Sequence, residues 1–188
     1  KPLLVQEIKK SERSRKAPLP FTTSTLQQEA SKRLNFSTQK TMRIAQQLYE
    51  GVEVEGRGTI ALITYLRTDS TRVAEEADAA ARAYIRENYG EAYVAAERKE
   101  KQGGQKIQDA HEAIRPIDIT LTPATVKASL SRDQFRLYQL IWKRFAAGRM
   151  QEAVYASTSV KLVCGEHRFS LSGSSLKFSG FMEVYSDS

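Results

Sequence analysis

Val154-Tyr155-Ala156-Ser157-Thr158-Ser159-Val160-Lys161-Leu162 is the stretch that decides the fold, because every second residue is apolar or β-branched. Alternation with a period of two is typical of a β-strand with one buried face. Gly165-Glu166-His167 predicts a turn, and Phe169 and Leu171 resume the alternation on its far side. We therefore expect a β-hairpin here, followed by a further strand over Leu176–Tyr185.

The start of the chain carries a second β signal. Residues 1–17 predict a strand that runs into a hydrophilic connector. Within it, Lys9–Lys16 has the short, mixed charge pattern of a linker. Pro18-Leu19-Pro20 marks a boundary, because each proline fixes its own φ and restricts the preceding residue.

The middle of the chain has the period of helices instead. Apolar residues recur about every 3.6 positions, and capping residues bound four segments. The first predicted helix begins near Thr25, after a capping box of Ser24 and Gln27, and the second is capped by Ser37 and ends near Glu50. The third runs from about Val73 to Asn88. The fourth runs from Arg132 to Gly148, after a capping box of Ser131 and Gln134. The fold class is therefore α+β, with a mostly helical domain, residues 19–149, inserted into a β-rich domain formed by residues 1–18 and 150–188.

The first two predicted helices are joined by a short turn, which is a helix-turn-helix outline. Thr59–Arg67 is apolar and β-branched and predicts a strand after that outline, an order that suggests a winged helix. Residues 97–106 are polar and contain glycine, which predicts a surface loop.

Composition excludes several classes of protein. With 188 residues, 40% hydrophobic and 27% charged, the chain is neither disordered throughout nor membrane-spanning. One cysteine and two histidines make a disulfide framework or a zinc site improbable and fit a cytosolic setting. The net charge of +7 is concentrated in residues 1–50, which carry ten basic and four acidic side chains. That excess fits either a polyanionic partner or a solvated linker.

Ile63-Thr64-Tyr65-Leu66-Arg67-Thr68-Asp69-Ser70 is the most informative stretch for chemistry. On a strand, Tyr65 and Arg67 would project from the same face. A phenol is an oxygen nucleophile, and a guanidinium can hold a phosphate through two parallel hydrogen bonds. On chemistry alone, Tyr65 could equally be a half-buried packing residue.

Three motifs carry a resemblance to a known family. Gln46–Glu50 together with Ile63–Ser70 resembles the active-site signature of type IA DNA topoisomerases. His111-Glu112-Ala113-Ile114-Arg115-Pro116 is similar to a second motif of that family, in the form typical of bacterial topoisomerase I, and Phe21–Ala30 is similar to a third. The motifs stand in the family's order, and the resemblance covers essentially the whole chain.

The resemblance implies a fold and a set of roles. Residues 19–149 would be the tyrosine-bearing domain, related to the winged helix of catabolite activator protein, and the flanking β segments would belong to an arch. Tyr65 would attack a phosphodiester and become joined to the 5′-phosphate, and Arg67 would position it and stabilise charge. His111 would bind DNA near the cleavage site, or serve a structural role.

Three more DNA-binding residues are expected on the same basis, with open alternatives for two of them. They are Thr68, Asp69 and Arg115. Asp69 could instead cap the following helix or orient Arg67, and Arg115 could instead pair with Glu112.

The resemblance also implies that the metal-binding part of the active site lies on another domain. The family holds Mg²⁺ with an acidic cluster on an N-terminal domain, and no such cluster is expected in this chain, which starts at Lys1 and has the character of an internal fragment. The implied partners are single-stranded DNA and that metal-binding domain, with no membrane partner, in the bacterial cytoplasm and its nucleoid. The implied reaction exchanges one phosphate ester for another of similar energy, so relaxation of negative supercoils would need no ATP. The lack of a GxxxxGK[ST] motif in this sequence is consistent with that expectation. The isolated fragment is expected to be inactive.

Two other classes compete with this interpretation. A non-enzymatic winged-helix DNA-binding module would share the helix-turn-helix and would read bases with Gln39, Lys40 and Arg43 of the second helix. A tyrosine recombinase or type IB enzyme would gather several arginines and a histidine around its tyrosine, and the Tyr65–Arg67 spacing argues against it.

Overall fold

A three-stranded antiparallel sheet joins the two ends of the chain in the computed structural model, which describes residues 1–96 and 111–186. Its strands are β1 (Leu4–Arg15), β4 (Ala153–Cys164) and β5 (His167–Phe178), in the order β1-β4-β5. β1 pairs with β4 from Leu4↔Val163 to Arg15↔Ala153. The predicted hairpin of β4 and β5 is confirmed, with Gly165 at positive φ in its turn.

Two predictions about this sheet are wrong. Lys9–Lys16 is not a linker, because β1 continues to Arg15 and is paired with β4 over that length. Leu176–Tyr185 does not form a further strand. β5 ends at Phe178, and a 3₁₀ turn over Gly180–Glu183 follows.

Between β1 and β4, the described residues form five α-helices and a small hairpin. They are α1 (Thr23–Leu34), α2 (Thr38–Glu50), the hairpin strands β2 (Val52–Val54) and β3 (Gly58–Ile60), α3 (Glu75–Tyr89), α4 (Pro123–Val126) and α5 (Arg132–Gly148). Short 3₁₀ turns cover Glu91–Tyr93 and Lys127–Ser129. The predicted helices are thus present with small shifts at their ends.

α5 is the centre of the core. It packs against α1, α2, α4 and the Gly180–Glu183 turn. Eight of its side chains are buried: Leu137, Tyr138, Leu140, Ile141, Trp142, Phe145, Ala146 and Ala147. The Tyr138 hydroxyl donates to Leu121 O (2.5 Å) and the Trp142 indole N–H to Ile119 O (3.0 Å), so the polar ends of these rings are satisfied.

The helix caps follow the sequence except at α1. Ser131 and Gln134 form the predicted capping box of α5. At α1 the box is made two residues earlier than predicted, by Thr22 and Thr25. Because α1 starts at Thr23, the side chain of that residue lies in the first turn and faces the segment that carries Tyr65.

The predicted strand over Thr59–Arg67 is wrong beyond Ile60. β3 ends at Ile60, and residues 61–70 have no regular structure apart from a single bridge between Ile63 and Pro116. Leu62, Ile63 and Leu66 are buried nonetheless. The apolar, β-branched composition therefore reflects burial of an irregular segment rather than a strand.

The chain is accordingly a mixed α/β fold with antiparallel sheets. The predicted mostly helical insert, its winged-helix likeness and the domain boundaries at 18 and 150 stay predictions. The loop predicted at 97–106 lies outside the described residues. In the part of the chain that is described, no helix is both long and apolar enough to cross a lipid bilayer.

Candidate active site

The segment before Tyr65 is fixed by hydrogen bonds to residues distant in sequence. Leu62 N–H donates to Leu48 O of α2 (2.9 Å). Thr64 N–H donates to Arg115 O (3.0 Å), and the Thr64 hydroxyl donates to Ala113 O (2.7 Å). The Arg115 N–H donates back to that hydroxyl (2.9 Å). Residues 62–64 are thus held between the end of α2 and the 113–117 segment.

The segment after Tyr65 is held by Thr23. Its hydroxyl donates to Leu66 O (2.6 Å) and lies 3.1 Å from Thr68 O, and it accepts a hydrogen bond from Thr68 N–H (2.9 Å). The Thr23 N–H also donates to Thr68 O (3.0 Å). One side chain at the start of α1 therefore fixes the backbone on both sides of Arg67.

Tyr65 and Arg67 flank a buried residue and are themselves exposed. Leu66 is 1% exposed, whereas the Tyr65 side chain is 47% exposed. The ring of Tyr49, from the last turn of α2, meets the Tyr65 ring edge-on, with centroids 5.2 Å apart and planes at 60°. This edge-on contact packs one side of the Tyr65 ring, while about half of the residue stays exposed.

An open cleft lies beside these residues. It has a volume of about 330 Å³ and is lined by Thr23, Arg67, Thr68, Asp69 and His111. Arg72 donates from Nε to His111 O (3.2 Å), and Ala113 N–H donates to Arg72 O (2.8 Å). The fold thus brings four of the predicted site residues together, with His111 more than forty positions away from the other three.

Arg115 is placed differently from the other predicted DNA contacts. It is 8% exposed, and its guanidinium binds both Glu112 oxygens, at 3.1 Å and 2.8 Å, as well as Pro116 O at 2.9 Å. This is the pairing with Glu112 that the sequence left open. In this position Arg115 stabilises the 111–116 segment.

Glu112 joins this segment to α3. Its carboxylate accepts a hydrogen bond from Ala74 N–H (2.7 Å) at the start of α3. Burial alone would raise the pKa of the Glu112 carboxyl, but hydrogen bonds from Arg115 and from Ala74 N–H outweigh burial and lower this pKa below its ordinary value. The carboxylate is therefore ionised at neutral pH, and it ties the residue next to His111 to the start of α3.

Sequence reasoning misses two functional candidates. Its capping pattern points to Ser24, Gln27 and Gln28 as helix-start residues rather than to Thr23, and the shifted capping box is the signal that could have found Thr23. Tyr49 fits the apolar side of α2, yet it is 37% exposed. Its place sixteen positions before Tyr65 gives no sign of the ring contact.

The cleft does not fit a divalent metal site by itself. Asp69 is the single acidic side chain among the described residues that line the cleft. One carboxylate is too few, because a hard cation such as Mg²⁺ takes several oxygen ligands. Over residues 1–96 and 111–186 there is no group of three or more His, Cys, Asp or Glu side chains that could hold a metal ion.

An exposed tyrosine lies two residues before an arginine that lines an open cleft together with a histidine, an arrangement suited to phosphodiester chemistry. Comparison with known proteins identifies the class. A family model described as DNA topoisomerase matches residues 1–188. The chain belongs to this family of bacterial DNA topoisomerases, enzymes that change DNA topology.

A solved structure provides a more specific comparison than the family model. The chain is similar to full-length topoisomerase I from Thermotoga maritima, with 46% sequence identity and a TM-score of 0.84. The match covers 97% of this chain and 29% of the Thermotoga maritima chain. The sequence thus corresponds to somewhat less than a third of that relative.

Proposed function

We propose that this chain carries the nucleophile of a type IA DNA topoisomerase, with Tyr65 as the residue that breaks and rejoins one DNA strand. The observation that carries the proposal is the cleft in which Arg67, Thr68, Asp69 and His111 converge, two residues from an exposed tyrosine. Family membership supports DNA as the substrate class.

The reaction is a reversible exchange of esters. The Tyr65 phenol oxygen attacks the phosphorus of a phosphodiester, forming an O–P bond as the bond from phosphorus to the 3′-oxygen breaks. The phenol loses its proton, the departing 3′-oxygen gains one, and the 5′-phosphate stays on Tyr65. In the return step the 3′-hydroxyl attacks the phosphotyrosyl ester and releases the tyrosine.

This exchange needs no nucleotide. The phosphotyrosyl ester is of the same chemical class as the bond it replaces, so cleavage is close to balanced in free energy. Strain in negatively supercoiled DNA supplies the direction of relaxation.

Arg67 and His111 would act on the phosphate. Arg67 offers parallel N–H donors that stabilise negative charge on the scissile phosphate, which grows as the phenolate attacks. His111 lines the same cleft and can hydrogen-bond to a neighbouring phosphate or sugar. Thr68 and Asp69 lie at the same wall, where Thr68 can donate to DNA and Asp69 can orient Arg67.

The rest of the active site would come from the parent protein. Mg²⁺ and the acidic residues that bind it are expected on an N-terminal domain, which would pack over the cleft. The isolated chain would then hold the nucleophile and its arginine without the metal.

A non-enzymatic winged-helix module is the second candidate. It requires α2 to present base-reading side chains, and Gln39 and Arg43 are exposed there. Lys40, however, forms an ion pair with Asp133 (2.8 Å) and lies over the Phe36 ring. Two of the three side chains therefore remain to read bases, which weakens this candidate.

Covalent trapping tests the proposal. A 3′-labelled single-stranded oligonucleotide is incubated with the chain, with and without the metal-binding domain of the parent protein and Mg²⁺, and the mixture is then denatured. We expect labelled protein only when the domain and the metal are both present, and none with Tyr65→Phe. The 3′ label reports on this reaction because the 5′-phosphate of the labelled piece would be joined to the tyrosine.

Tyr89→Phe is the matched control, since Tyr89 is also a partly exposed tyrosine but lies at the end of α3. It should form the adduct at the wild-type level. An adduct that survives in Tyr65→Phe would refute the assignment of the nucleophile. Absence of any adduct, with the two parts shown to associate, would favour the DNA-binding module.

A further inference from the structure

The Tyr65 side chain is fixed less completely than the backbone that carries it. Hydrogen bonds of Leu62 and Thr64 hold the backbone before Tyr65, and those of Thr23 hold the backbone after it. Among the residues that the structure describes, by contrast, the Tyr65 hydroxyl has no hydrogen-bond partner. The direction in which the phenol oxygen points therefore depends on how the ring is packed, and the ring contact is with Tyr49.

Tyr49 is anchored by its place in the last turn of α2. Its neighbour Leu48 is fully buried, and Leu48 O accepts a hydrogen bond from Leu62 N–H (2.9 Å), three residues before Tyr65. The Gly51 N–H closes the helix end by donating to Gln47 O (3.2 Å). The Tyr49 ring is thus placed by some of the same contacts that place the Tyr65 segment.

The geometry of the two rings favours one mutual orientation. Their centroids are 5.2 Å apart and their planes meet at 60°, an arrangement in which the positive edge of one ring approaches the negative face of the other. A pair of this kind changes the population of a ring orientation by about 2- to 13-fold. The orientation of a nucleophile affects the rate of reaction, because the attacking oxygen must lie roughly in line with the leaving oxygen.

We propose that Tyr49 is a positioning residue for Tyr65, whose ring it holds in the orientation from which the phenol oxygen attacks a phosphodiester. This inference rests on the proposed function of Tyr65. It assigns the role to the aromatic ring of Tyr49 and not to its hydroxyl, since the two residues meet through their rings. Tyr49 therefore acts on the rate of cleavage and not on the affinity for the oligonucleotide.

The rate of adduct formation tests this role. The chain is combined with the metal-binding domain of the parent protein and Mg²⁺, and trapped adduct is measured over time at increasing concentrations of the labelled oligonucleotide. Tyr49→Ala should lower the maximal rate by about 2- to 13-fold. The oligonucleotide concentration that gives half of that rate should not change. Tyr49→Phe should retain the wild-type rate, because it keeps the ring.

A second pair of tyrosine rings supplies the matched control. Tyr89, at the end of α3, is 36% exposed, against 37% for Tyr49, and the centroid of its ring lies 6.1 Å from that of Tyr93. Tyr89→Ala thus removes a ring of the same exposure from a pair outside the cleft, and it should leave the maximal rate unchanged. Equal losses in Tyr89→Ala and Tyr49→Ala would trace the effect to general destabilisation and overturn the proposal.

Proton NMR of the 188-residue chain gives a readout that does not depend on cleavage. Ring protons of Tyr65 should show nuclear Overhauser effects to those of Tyr49, with a ring-current shift that disappears in Tyr49→Leu. The leucine keeps an apolar side chain at the end of α2, so the comparison stands even where Tyr49→Ala does not fold. Absence of these signals from the wild-type chain would show that the rings are not in contact in solution, which would refute the proposal.

The outcome is separable from the proposed cleavage activity. An adduct that survives in Tyr65→Phe, or a wild-type chain that forms none, would overturn the proposed function and this inference together. A wild-type maximal rate in Tyr49→Ala, with the adduct still lost in Tyr65→Phe, would overturn this inference alone. So would a loss in Tyr49→Phe as large as that in Tyr49→Ala, or an effect of Tyr49→Ala confined to the half-maximal concentration, because the hydroxyl or DNA affinity would then be responsible.

Discussion

At the scale of single residues, the Thr23 hydroxyl positions the backbone around Arg67. It holds the backbone at Leu66 and Thr68 and so fixes Arg67 between them. Thr23→Val keeps the shape of the side chain but leaves these groups without their partner, which should cost about 1–3 kcal/mol of stability. We expect the yield of trapped adduct to fall together with the stability. Urea unfolding measures the stability, and covalent trapping measures the adduct.

Thr23→Ser is the control, because it keeps the hydroxyl and removes only a methyl group. It should restore most of both the stability and the adduct. If Thr23→Val and Thr23→Ser gave equal adduct yields, the hydroxyl would have no part in positioning Arg67.

At the scale of elements, the turn after β5 depends on Gly180. Its φ is +51°, and a Cβ at this position would lie well inside contact distance of the Gln151 and Glu152 carbonyl oxygens. Gly180→Ala should therefore destabilise the chain by at least about 2 kcal/mol, from backbone strain together with overpacking. Thermal unfolding measures the change.

Gly173→Ala is the matched substitution, since Gly173 lies within β5 and an added Cβ would meet no atom within 4 Å. It should be neutral or slightly stabilising, because alanine is favoured over glycine in a strand. Equal destabilisation by the two variants would show that the close approach at Gly180 is unimportant.

The connection of the 111–116 segment to α3 should depend on pH. The pKa of Glu112 is lowered in the folded chain, so its contribution to stability is complete above its ordinary pKa of 4.5 and is lost as pH falls through the lower folded value. Glu112→Gln should be less stable than the wild type at pH 7, with the difference shrinking at about pH 3, which lies below the ordinary carboxyl pKa. Urea unfolding at both pH values measures it.

Glu166→Gln serves as the reference for that experiment, because Glu166 is exposed in the β4–β5 turn. Its stability should follow the wild type at both pH values. A Glu112→Gln difference that stayed constant between neutral and acidic pH would contradict the assigned role of the carboxylate.

Elements governed by local interactions could be predicted from the sequence, and those governed by distant contacts could not. The capping box and apolar period predict α5 from Arg132 to Gly148, because both signals lie within the helix itself. The strand prediction fails at residues 61–67 because their hydrogen bonds go to Leu48, Thr23 and Arg115, and a buried irregular segment has the same composition as a strand.

The same distinction between local interactions and distant contacts applies to the candidate site. Tyr65, Arg67 and His111 could be proposed from motifs, whereas the contact of Tyr49 with Tyr65 and the Thr23 hydrogen bonds depend on how α1 and α2 pack. The burial of Arg115 against Glu112 is one of two alternatives that the sequence leaves open, and nothing in the local sequence distinguishes them.

At the scale of the whole molecule, the chain is expected to be half of a catalytic apparatus. The match to the Thermotoga maritima enzyme covers 29% of that chain, so most of that relative lies outside the matched region. We expect the purified chain with Mg²⁺ to leave a negatively supercoiled plasmid unchanged on an agarose gel. Relaxation by the pure chain, abolished in Tyr65→Phe, would show that the active site is complete without other domains.

The pairing of β1 with β4 has a consequence for biosynthesis. β1 leaves the ribosome before β4. Arg15 must wait for Ala153, roughly 140 residues later, which at about 5–20 residues per second is about 7–28 seconds. During that time Leu4, Val5 and Ile8 form part of an unpaired strand that could join another nascent chain. The charged residues that follow on the same strand, from Lys9 to Arg15, oppose such association while the partner strand is still being made.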